Sequence, residues 1–287
     1  MRAWRVIPLI FISIFSFSVS ASAFEVEGLK TPESFIVDPS TGNYFISNIN
    51  GSGPLGKDDD GFITKLNKDG KVINFTFIDG KGKDITLNAP KGLDVIGNVL
   101  YVSDIDFIRG FDKETGKLLY DLDMMGFNPA FLNDLTHDSQ RNLYVSDMTA
   151  NMILKIDTKN NHTTSILVKL STLGGPNGVN IHPKTGKLIT VTWDTGKILE
   201  IDLSGNIKTL IEDNRFKNLD GVDFDNNGNI FVSSFTGGEV YRITPDLKLE
   251  VFLKGLTTPA DINIDKKKGL LLIPSFEGNK AKTVSIK

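Results

Sequence analysis

The sequence predicts an all-β fold, a six-bladed β-propeller with four strands in each blade. Short alternating or apolar runs are separated by Gly, Asn and Asp turns, which is typical of strands. One unit of two such runs recurs six times, and its last four intervals are 42, 44, 43 and 40 residues. A period in the forties that contains only strands is typical of propeller blades.

Each repeat has the same order of elements. A first strand ends near Asp, a Gly or Asn turn follows, and the second strand ends in Ser in most repeats. These first and second strands are expected at 33–38 and 44–47, 91–95 and 100–103, 133–138 and 143–146, 177–182 and 188–191, 220–225 and 230–233, and 260–265 and 270–275. Third and fourth strands follow, for example at 153–157 and 164–168, 198–202 and 207–211, and 240–243 and 249–253.

The sixth repeat has no fourth strand of its own, because the chain ends after a third strand at 283–286. Residues 24–29 (FEVEGL) precede the first repeat and have no other place, so we expect them to form that strand. This closure would remove two open sheet edges. Two separate β domains are the alternative, but no linker is visible, and we predict one domain at 24–287.

Residues 1–23 are expected to be a signal peptide. Two arginines precede an apolar run at 6–19, and Ala21-Ser22-Ala23 fits a signal peptidase site. The alternative is a membrane anchor, but 14 apolar residues span roughly 21 Å of a core of roughly 30 Å. We therefore predict a periplasmic or secreted protein that has no membrane attachment after cleavage.

The composition excludes several classes of protein. With 32 Lys and Arg against 35 Asp and Glu, the chain lacks the basic excess of a nucleic-acid binder. Its 40% hydrophobic content argues against disorder. The absence of cysteine excludes disulfides, thiolate metal sites and cysteine nucleophiles. We expect a small-molecule partner; the sequence leaves the oligomeric state open, with a monomer favoured.

The residues that begin the six first strands should converge at one end of the central tunnel, and we call them the axial residues. They are Glu33, Lys91, Asn133, Asn177, Asp220 and Ala260. Four of the six offer side-chain oxygens, which suits a hard cation such as calcium. The alternative is that Asn-Gly and Asp-Gly simply form turns here.

At these positions the chain resembles a known family. Pro32-Glu33, Leu132-Asn133-Asp134, Pro176-Asn177-Gly178 and Leu219-Asp220-Gly221 resemble the metal-site motifs of the calcium-dependent six-bladed propellers, the regucalcin and gluconolactonase family with paraoxonase and diisopropylfluorophosphatase. The resemblance implies that Glu33, Asn133, Asn177 and Asp220 bind one calcium ion. It also implies that Asp220 acts as base or nucleophile, while Asn133 and Asn177 fix the ion and orient the substrate.

The chain departs from the family at several positions. Phe131 stands where the sugar-lactonase members carry an arginine, which argues against a sugar-acid lactone.

We place Lys91, Phe131, Asp134 and Trp193 in the substrate pocket. Lys91 would pair with Glu33 or stabilise a developing oxyanion, and Trp193 would form an apolar wall or pack between blades. A second, structural ion is left open, because Asp223 matches one of its ligands but Asn263 replaces the expected histidine.

The loop at 48–61 presents two decoys. Gly51 to Lys57 fits G-x-x-x-x-G-K, but Asp58 replaces the Ser or Thr and a strand follows, so we do not expect a nucleotide site. The triple Asp at 58–60 lacks the closing glutamate of an EF-hand. The loop would be either a mobile rim or a solvated insertion. His137 is expected to be structural.

Three functions remain open at this point. The first is an exported, calcium-dependent hydrolase of lactones or related esters, phosphotriesters included. The second is a non-catalytic propeller with a structural calcium that binds a peptide, glycan or small molecule on its upper face. A lyase-type or synthase-type propeller is the third. Loop side chains decide the substrate, and the fold does not.

Overall fold

The computed structural model describes residues 23–82 and 85–286, which form 24 strands in six antiparallel sheets of four. The predicted leader falls outside the described residues, apart from Ala23. The only helical segment of the described chain is a 3₁₀ turn at Met125–Phe127. None of its helices is long and apolar enough to cross a membrane. The predicted six-bladed β-propeller with four strands per blade is confirmed.

The strands run outwards from the tunnel in each blade, in chain order except in the sixth. Blade 1 is β2 (Pro32–Val37), β3 (Tyr44–Asn48), β4 (Phe62–Leu66) and β5 (Val72–Asp79); blade 2 is β6 (Pro90–Ile96), β7 (Val99–Asp104), β8 (Phe107–Asp112) and β9 (Leu118–Asp123); blade 3 is β10 (Leu132–His137), β11 (Asn142–Asp147), β12 (Met152–Asp157) and β13 (Thr163–Lys169).

Blade 4 is β14 (Pro176–Ile181), β15 (Leu188–Thr192), β16 (Lys197–Ile201) and β17 (Ile207–Glu212); blade 5 is β18 (Leu219–Phe224), β19 (Ile230–Ser234), β20 (Glu239–Ile243) and β21 (Leu249–Leu253); blade 6 is β22 (Asn263–Asp265), β23 (Leu270–Ser275), β24 (Lys280–Ser285) and β1 (Glu25–Glu27). We call the face at which the inner strands begin the upper face, and the face at which they end the lower face.

The apolar core of the described chain is divided among the contacts between blades. A separate cluster of buried apolar side chains lies between each pair of neighbouring blades, from blades 1 and 2 round to blades 6 and 1. Inner and middle strands are buried on both faces, whereas the outer strands are mostly exposed. The strands with continuous apolar runs are therefore those closest to the tunnel.

The N-terminal strand closes the ring, as predicted. β1 pairs with β24, with Val26 opposite Ala281. Phe24 and Thr283 exchange hydrogen bonds, 2.9 Å from Phe24 N to Thr283 Oγ1 and 2.9 Å from Thr283 N to Phe24 O. Leu29 is fully buried in the cluster between blades 6 and 1. This segment thus joins the last blade to the first.

The sixth inner strand is shorter than predicted, because it begins at Asn263 and not at Ala260. Its first residues are drawn towards the neighbouring blade. Asp261 N donates to the carbonyl of Glu33 at 3.0 Å, and Ser34 and Asp261 form an isolated parallel bridge. The backbone before Asn263 therefore bonds blade 1 as well as blade 6.

The Asp at the end of several first strands caps the following turn. Asp138 Oδ1 accepts hydrogen bonds from Gln140 N at 2.8 Å and Asn142 N at 2.9 Å. Asp225 repeats the pattern with the amides of Asn227 and Asn229. An Asp side chain that mimics a backbone turn in this way fixes the hairpin at the lower face.

Candidate functional site

A β-bulge sits at the start of five of the six inner strands. In blade 3, Leu132 pairs with Asp147 and Leu135 with Val145, so three steps on β10 match two on β11. Blades 1, 2, 4 and 5 show the same shift. Each bulge contains an axial residue, namely Glu33, Lys91, Asn133, Asn177 or Asp220. A bulge re-aims side chains out of the regular pleat.

The glycines that follow two axial residues are required by close packing. Gly178 and Gly221 lie inside β14 and β18, so Asn177-Gly178 and Asp220-Gly221 do not form turns. A Cβ on Gly178 would lie 2.2 Å from the carbonyl oxygen of Asp220, and one on Gly221 would lie 2.2 Å from Ile262 N. Neighbouring inner strands therefore approach so closely that only glycine fits.

The serine that recurs at the end of second strands fixes the axial backbone. Ser146 Oγ accepts a hydrogen bond from Asp134 N at 3.0 Å in its own blade and donates to the carbonyl of Asn177 at 2.6 Å in the next. Ser233 does the same between Gly221 N and the carbonyl of Ala260. We call this contact the serine clasp. The sequence showed the repeated serine, but its partner in the neighbouring blade is not encoded by spacing.

Four axial side chains have a buried oxygen without a hydrogen-bond partner. They are Glu33 Oε2, Asn133 Oδ1, Asn177 Oδ1 and Asp220 Oδ1. All four residues are at least 96% buried, with exposures between 2% and 4%. A buried acceptor without a partner is costly unless it ligates an ion or water. Oxygens of carboxylates and amides are the ligands that calcium prefers, so the residues present fit that ion.

Three other buried atoms of the described chain also have no hydrogen-bond partner, but they do not form part of this ring. They are Asp59 Oδ1, Asp106 Oδ1 and Arg109 Nε. Arg109 Nε lies 3.1 Å from Asp121, and Asp106 pairs through its other oxygen with Lys57 at 2.5 Å. The described residues contain no cluster of three His, Cys, Asp or Glu side chains that could hold a metal. The axial set differs from such a cluster because two of its four members are amides.

The charges around the axial carboxylates favour a cation. Burial raises the pKa of Glu33 well above its usual value, and the carboxylates of Asp220 and Asp261 raise it further, while Lys91 lowers it. Burial and Asp261 likewise raise the pKa of Asp220, and a hydrogen bond from Asn177 lowers it. Buried carboxylates that repel each other ionise more readily beside a positive charge.

Lys91 is the buried cation of the axial set. Its Nζ donates to the carbonyl of Ala89 at 3.0 Å and lies 4.6 Å from the centre of the Phe131 ring. Within the described residues it makes no ion pair with Glu33 closer than 4.0 Å. Burial lowers the pKa of Lys91 to about 8. Phe131 thus occupies its position in the site by covering the ammonium group of Lys91.

The two remaining predicted pocket residues lie apart, Trp193 on the upper face and Asp134 inside the tunnel. Trp193 is partly buried on the upper face, 5.2 Å from Phe235 between ring centres. Asp134 uses both carboxylate oxygens to accept backbone hydrogen bonds, from Leu135 N and Val179 N at 2.7 Å each. It lines the tunnel below the axial residues. Asp134 therefore links the inner strands of blades 3 and 4.

A cavity of about 480 Å³ opens at the lower face and was not anticipated from the sequence. Its lining includes Asp134, His137, Asn180, Asp223 and Asp261. None of the four axial residues with unpartnered oxygens lines it, so the cavity and the axial site are separate parts of the tunnel. The feature of the sequence that could have indicated this cavity is the polar residues at alternate positions of the inner strands.

The side chains that lead into this cavity have protein partners. Asp223 accepts hydrogen bonds from Phe224 N at 2.6 Å and Ile264 N at 2.7 Å, and Asn263 Nδ2 lies 3.5 Å from Asp261. The second ion considered from the sequence therefore has no unpartnered oxygen at Asp223. His137 Nδ1 lies 2.6 Å from Asp94, the contact of an oriented structural histidine.

The loop at 48–61 is bound to blade 2, and its own Asp58 carboxylate occupies the hydrogen-bond donors that could otherwise bind an anion. Asp58 Oδ2 accepts hydrogen bonds from Ser52 N at 2.7 Å and Ser52 Oγ at 2.6 Å. A Cβ on Gly51 would lie 2.4 Å from the same carboxylate. Lys57 pairs with Asp106 of blade 2. The donors that a phosphate would need are thus occupied by a side chain of this loop.

Fold and axial site together define a six-bladed propeller with a ring of buried oxygens at the upper end of its tunnel. The family profile described as the SMP-30/Gluconolactonase/LRE-like region matches residues 68–263. The chain belongs to this family.

Several solved structures share the fold. A virginiamycin B lyase from Staphylococcus aureus, solved as an inactive variant with quinupristin, is 15% identical with a TM-score of 0.63, covering 93% of this chain and 99% of the lyase. A protein assigned provisionally to the gluconolactonases is 14% identical with a TM-score of 0.66, covering 94% and 93%.

A protein of unknown function from Bacteroides thetaiotaomicron is 12% identical, with a TM-score of 0.70 and coverage of 92% and 72%. At these identities the likeness shows the fold alone. No curated protein matches the chain significantly.

Proposed function

We propose that the chain is a calcium-dependent hydrolase of lactones or related esters, phosphotriesters included. The observation that carries the proposal is the set of four buried oxygens without partners, on Glu33, Asn133, Asn177 and Asp220. Membership of the gluconolactonase family supports the reaction class. The buried carboxylates of Glu33 and Asp220 repel each other, and this repulsion supports a cation between them.

A bound calcium ion would polarise a carbonyl or phosphoryl oxygen of the substrate. Asn133 and Asn177 offer neutral oxygens, so they hold a cation without adding charge and leave the two carboxylates to balance it. Asp220 is the group that accepts a proton from water or attacks the substrate. The position of Asp220 among the four unpartnered oxygens supports this role, because it puts a carboxylate beside the place where the ion would hold the substrate oxygen.

Lys91 contributes positive charge beside the same ring. Among the described residues its Nζ has one hydrogen-bond acceptor, the carbonyl of Ala89, whereas an ammonium group has three donors. A pKa of about 8 keeps it mostly protonated at neutral pH. Lys91 is therefore suited to stabilise negative charge that develops on a substrate oxygen.

The test is a panel of lactones, aryl esters and phosphotriesters, each with calcium or with EDTA. We expect hydrolysis only with calcium. Asp220→Asn and Glu33→Gln each remove one negative charge and should both weaken calcium binding. Only Glu33→Gln should recover part of its rate at saturating calcium, because Asp220→Asn also removes the base or nucleophile. Asp69→Asn, an exposed site with the same charge change, is the control.

Two outcomes would contradict the proposal. Normal hydrolysis by Asp220→Asn at high calcium would exclude its catalytic role. A protein that binds calcium but hydrolyses no member of the panel would favour the non-catalytic propeller, in which the ion is structural and the upper face binds a peptide, glycan or small molecule. The virginiamycin B lyases share this fold, so elimination products should be sought in the same assays.

We also propose that residues 1–23 direct export and are removed, leaving one domain at 24–287 in the periplasm or medium. Phe24 supports this boundary, because its backbone N donates to Thr283 Oγ1 and its ring contacts Tyr44 at 5.2 Å between centres. Mass spectrometry of the exported form should give Phe24 as its first residue.

A further inference from the structure

Each blade places a large apolar residue immediately after its second strand, at the upper face. We call these six residues the apolar collar: Ile49, Ile105, Met148, Trp193, Phe235 and Phe276. In four blades the backbone N–H of the collar residue donates to the carbonyl that immediately precedes the inner strand of the same blade, and in blade 6 Phe276 N donates to the carbonyl of Thr258. Examples are Met148 to Phe131 at 3.0 Å and Trp193 to Gly175 at 2.8 Å. The collar therefore lies beside the point where the axial residues begin.

Collar side chains of blades 4, 5 and 6 touch one another, and the contacts continue to those of blades 1 and 2. Trp193 and Phe235 are 5.2 Å apart between ring centres, and Phe235 and Phe276 are 5.4 Å apart. Phe276 packs against the cluster that contains Ile49, Ala89 and Ile105. Blades diverge outwards, so equivalent side chains of adjacent blades meet where the blades converge. The contacts thus form an apolar arc round the upper end of the tunnel.

The arc reaches the axial site itself. Ala89 belongs to the cluster of Ile49 and Ile105, and its carbonyl accepts the hydrogen bond from Lys91. Phe131, which covers Lys91, is paired through its backbone with Met148. Apolar side chains therefore stand next to the axial cation on one side and continue over blades 4 to 6 on the other.

The open part of the arc lies over blades 4 to 6. Ile49 and Ile105 are buried at 1% and 5% exposure, whereas Trp193, Phe235 and Phe276 are only partly buried. In the same sector the axial residue of blade 6 is Ala260, which offers no polar side chain. The aromatic rings of the collar all lie in this direction, so a substrate that places its reacting oxygen at the axial ring can extend over them here.

We propose that the apolar collar selects lactones or esters that carry a hydrocarbon chain or an aromatic group, and that this part of the substrate lies on Trp193, Phe235 and Phe276. The inference rests on the proposed function for the reacting end of the substrate. Polyhydroxylated lactones are disfavoured, because burying their hydroxyls against these rings leaves the hydroxyls without hydrogen-bond partners. Aromatic rings bind alkyl and aryl groups by burying apolar area.

The first experiment compares kcat/KM for γ-lactones of increasing side-chain length with that for glucono-δ-lactone, in calcium. We expect kcat/KM to rise by up to about fourfold for each CH₂ that is buried, and then to level off. Phe235→Ala should flatten this dependence. Phe75→Ala, on the outer strand of blade 1 at 36% exposure, is the control and should keep the wild-type dependence.

The second experiment measures binding without catalysis. The chain has two tryptophans, Trp4 and Trp193, so comparison with Trp193→Phe isolates the fluorescence of the collar. A γ-lactam with an octyl chain should change the Trp193 signal, and unsubstituted γ-butyrolactam should not at the same concentration. The lactam probes resist hydrolysis, so this result does not depend on activity.

The outcomes separate the two proposals. Lactone hydrolysis without chain-length dependence, or with glucono-δ-lactone preferred, would overturn the collar inference and retain the proposed function. A Trp193 response to the octyl lactam without any hydrolysis would support the collar and contradict the hydrolase. If the lactam gives no Trp193 response and rates ignore chain length, the collar serves only blade packing.

Discussion

The four axial oxygens lie in a setting that disfavours the metal-free protein. Glu33 and Asp220 are buried, and Asp134 and Asp261 add two more buried carboxyls nearby. Burial raises the pKa of Asp261 to about 7, although a hydrogen bond from Ser34 lowers it. A divalent ion would relieve this repulsion and satisfy the four oxygens together, which should appear as stability.

We expect calcium at about 100 times its dissociation constant to stabilise the fold by roughly 2.7 kcal/mol. For a domain of this size the gain corresponds to about 5–10 °C in melting temperature. EDTA should remove it. Magnesium should restore little, because it prefers a tighter octahedral shell and gives up water reluctantly. Thermal unfolding measures this difference in melting temperature. Identical unfolding curves in calcium and in EDTA would mean that the four oxygens bind water and not calcium.

His137 should make stability depend on pH. Burial lowers the pKa of His137, but its hydrogen bond and charge interaction with Asp94 raise it more, and Asp138 and Arg141 add smaller opposing effects. The net pKa is raised, so the protonated form favours folding. Its stabilisation is present below the ordinary pKa of about 6.5 and is lost as the pH rises through the raised value.

The measurement compares wild type with His137→Gln by urea unfolding across this range. The difference in free energy of unfolding should shrink as the pH rises. His182→Gln is the control with the opposite sign, because burial lowers the pKa of His182 and its contribution is lost as the pH falls. Parallel curves for wild type and His137→Gln would contradict the assigned pair.

At the level of elements, periodicity predicted the repeated strands well and their starting points less well. The first strands of blades 1 to 5 begin one residue before the predicted positions, at Pro32, Pro90, Leu132, Pro176 and Leu219. The bulge is the reason, because that earlier residue still pairs with the second strand. Alternation along a chain indicates a strand, but a bulge depends on the partner strand.

The axial oxygens could be predicted because a propeller brings equivalent positions together. The serine clasp, the apolar collar and the lower cavity could not, although each has a sequence signal. A serine equivalent to Ser146 ends most of the second strands, and a large apolar residue equivalent to Trp193 follows the second strand in every blade. Which neighbouring backbone or ring these side chains reach is set by the distance between blades, and the repeat length does not contain it.

Gly178 tests the close approach of inner strands. Gly178→Ala should destabilise the fold by about 1–3 kcal/mol or more, because its Cβ would meet the backbone of Asp220 and must displace β18. It should also weaken calcium binding, since Asp220 would move. Gly126→Ala is the matched control, with open space around its Cβ and no positive φ. Urea unfolding and calcium titration measure both effects, and equal behaviour would contradict the packing.

The propeller as a whole is a closed ring with distinct upper and lower ends. The axial site and collar occupy the upper end, while the lower cavity of about 480 Å³ is lined by side chains that already have protein partners. The chain has no cysteine, so no disulfide closes the ring. Geometry at the axial site therefore depends on blade-to-blade packing and on the β1–β24 pairing.

A single substitution at Leu29 can test this closure. It is fully buried with Phe35 and Tyr44 of blade 1 and Leu272 of blade 6, so both ends of the ring meet on its side chain. Leu29→Ala should reduce the free energy of unfolding by about 2–5 kcal/mol, the usual range for a buried leucine. For a domain of this size the melting temperature should fall by on the order of 10 °C.

The control is Leu203→Ala, because Leu203 is 46% exposed and its truncation should cost no more than about 0.5 kcal/mol. Removing residues 24–29 should cost more than Leu29→Ala, since it also removes the β1–β24 hydrogen bonds and exposes the edge of β24. Calcium should bind more weakly to both closure variants, because blades 1 and 6 flank the axial ring and their separation moves Glu33. If Leu29→Ala unfolds like Leu203→Ala, the ring is held by the other blade contacts and β1 only covers an edge.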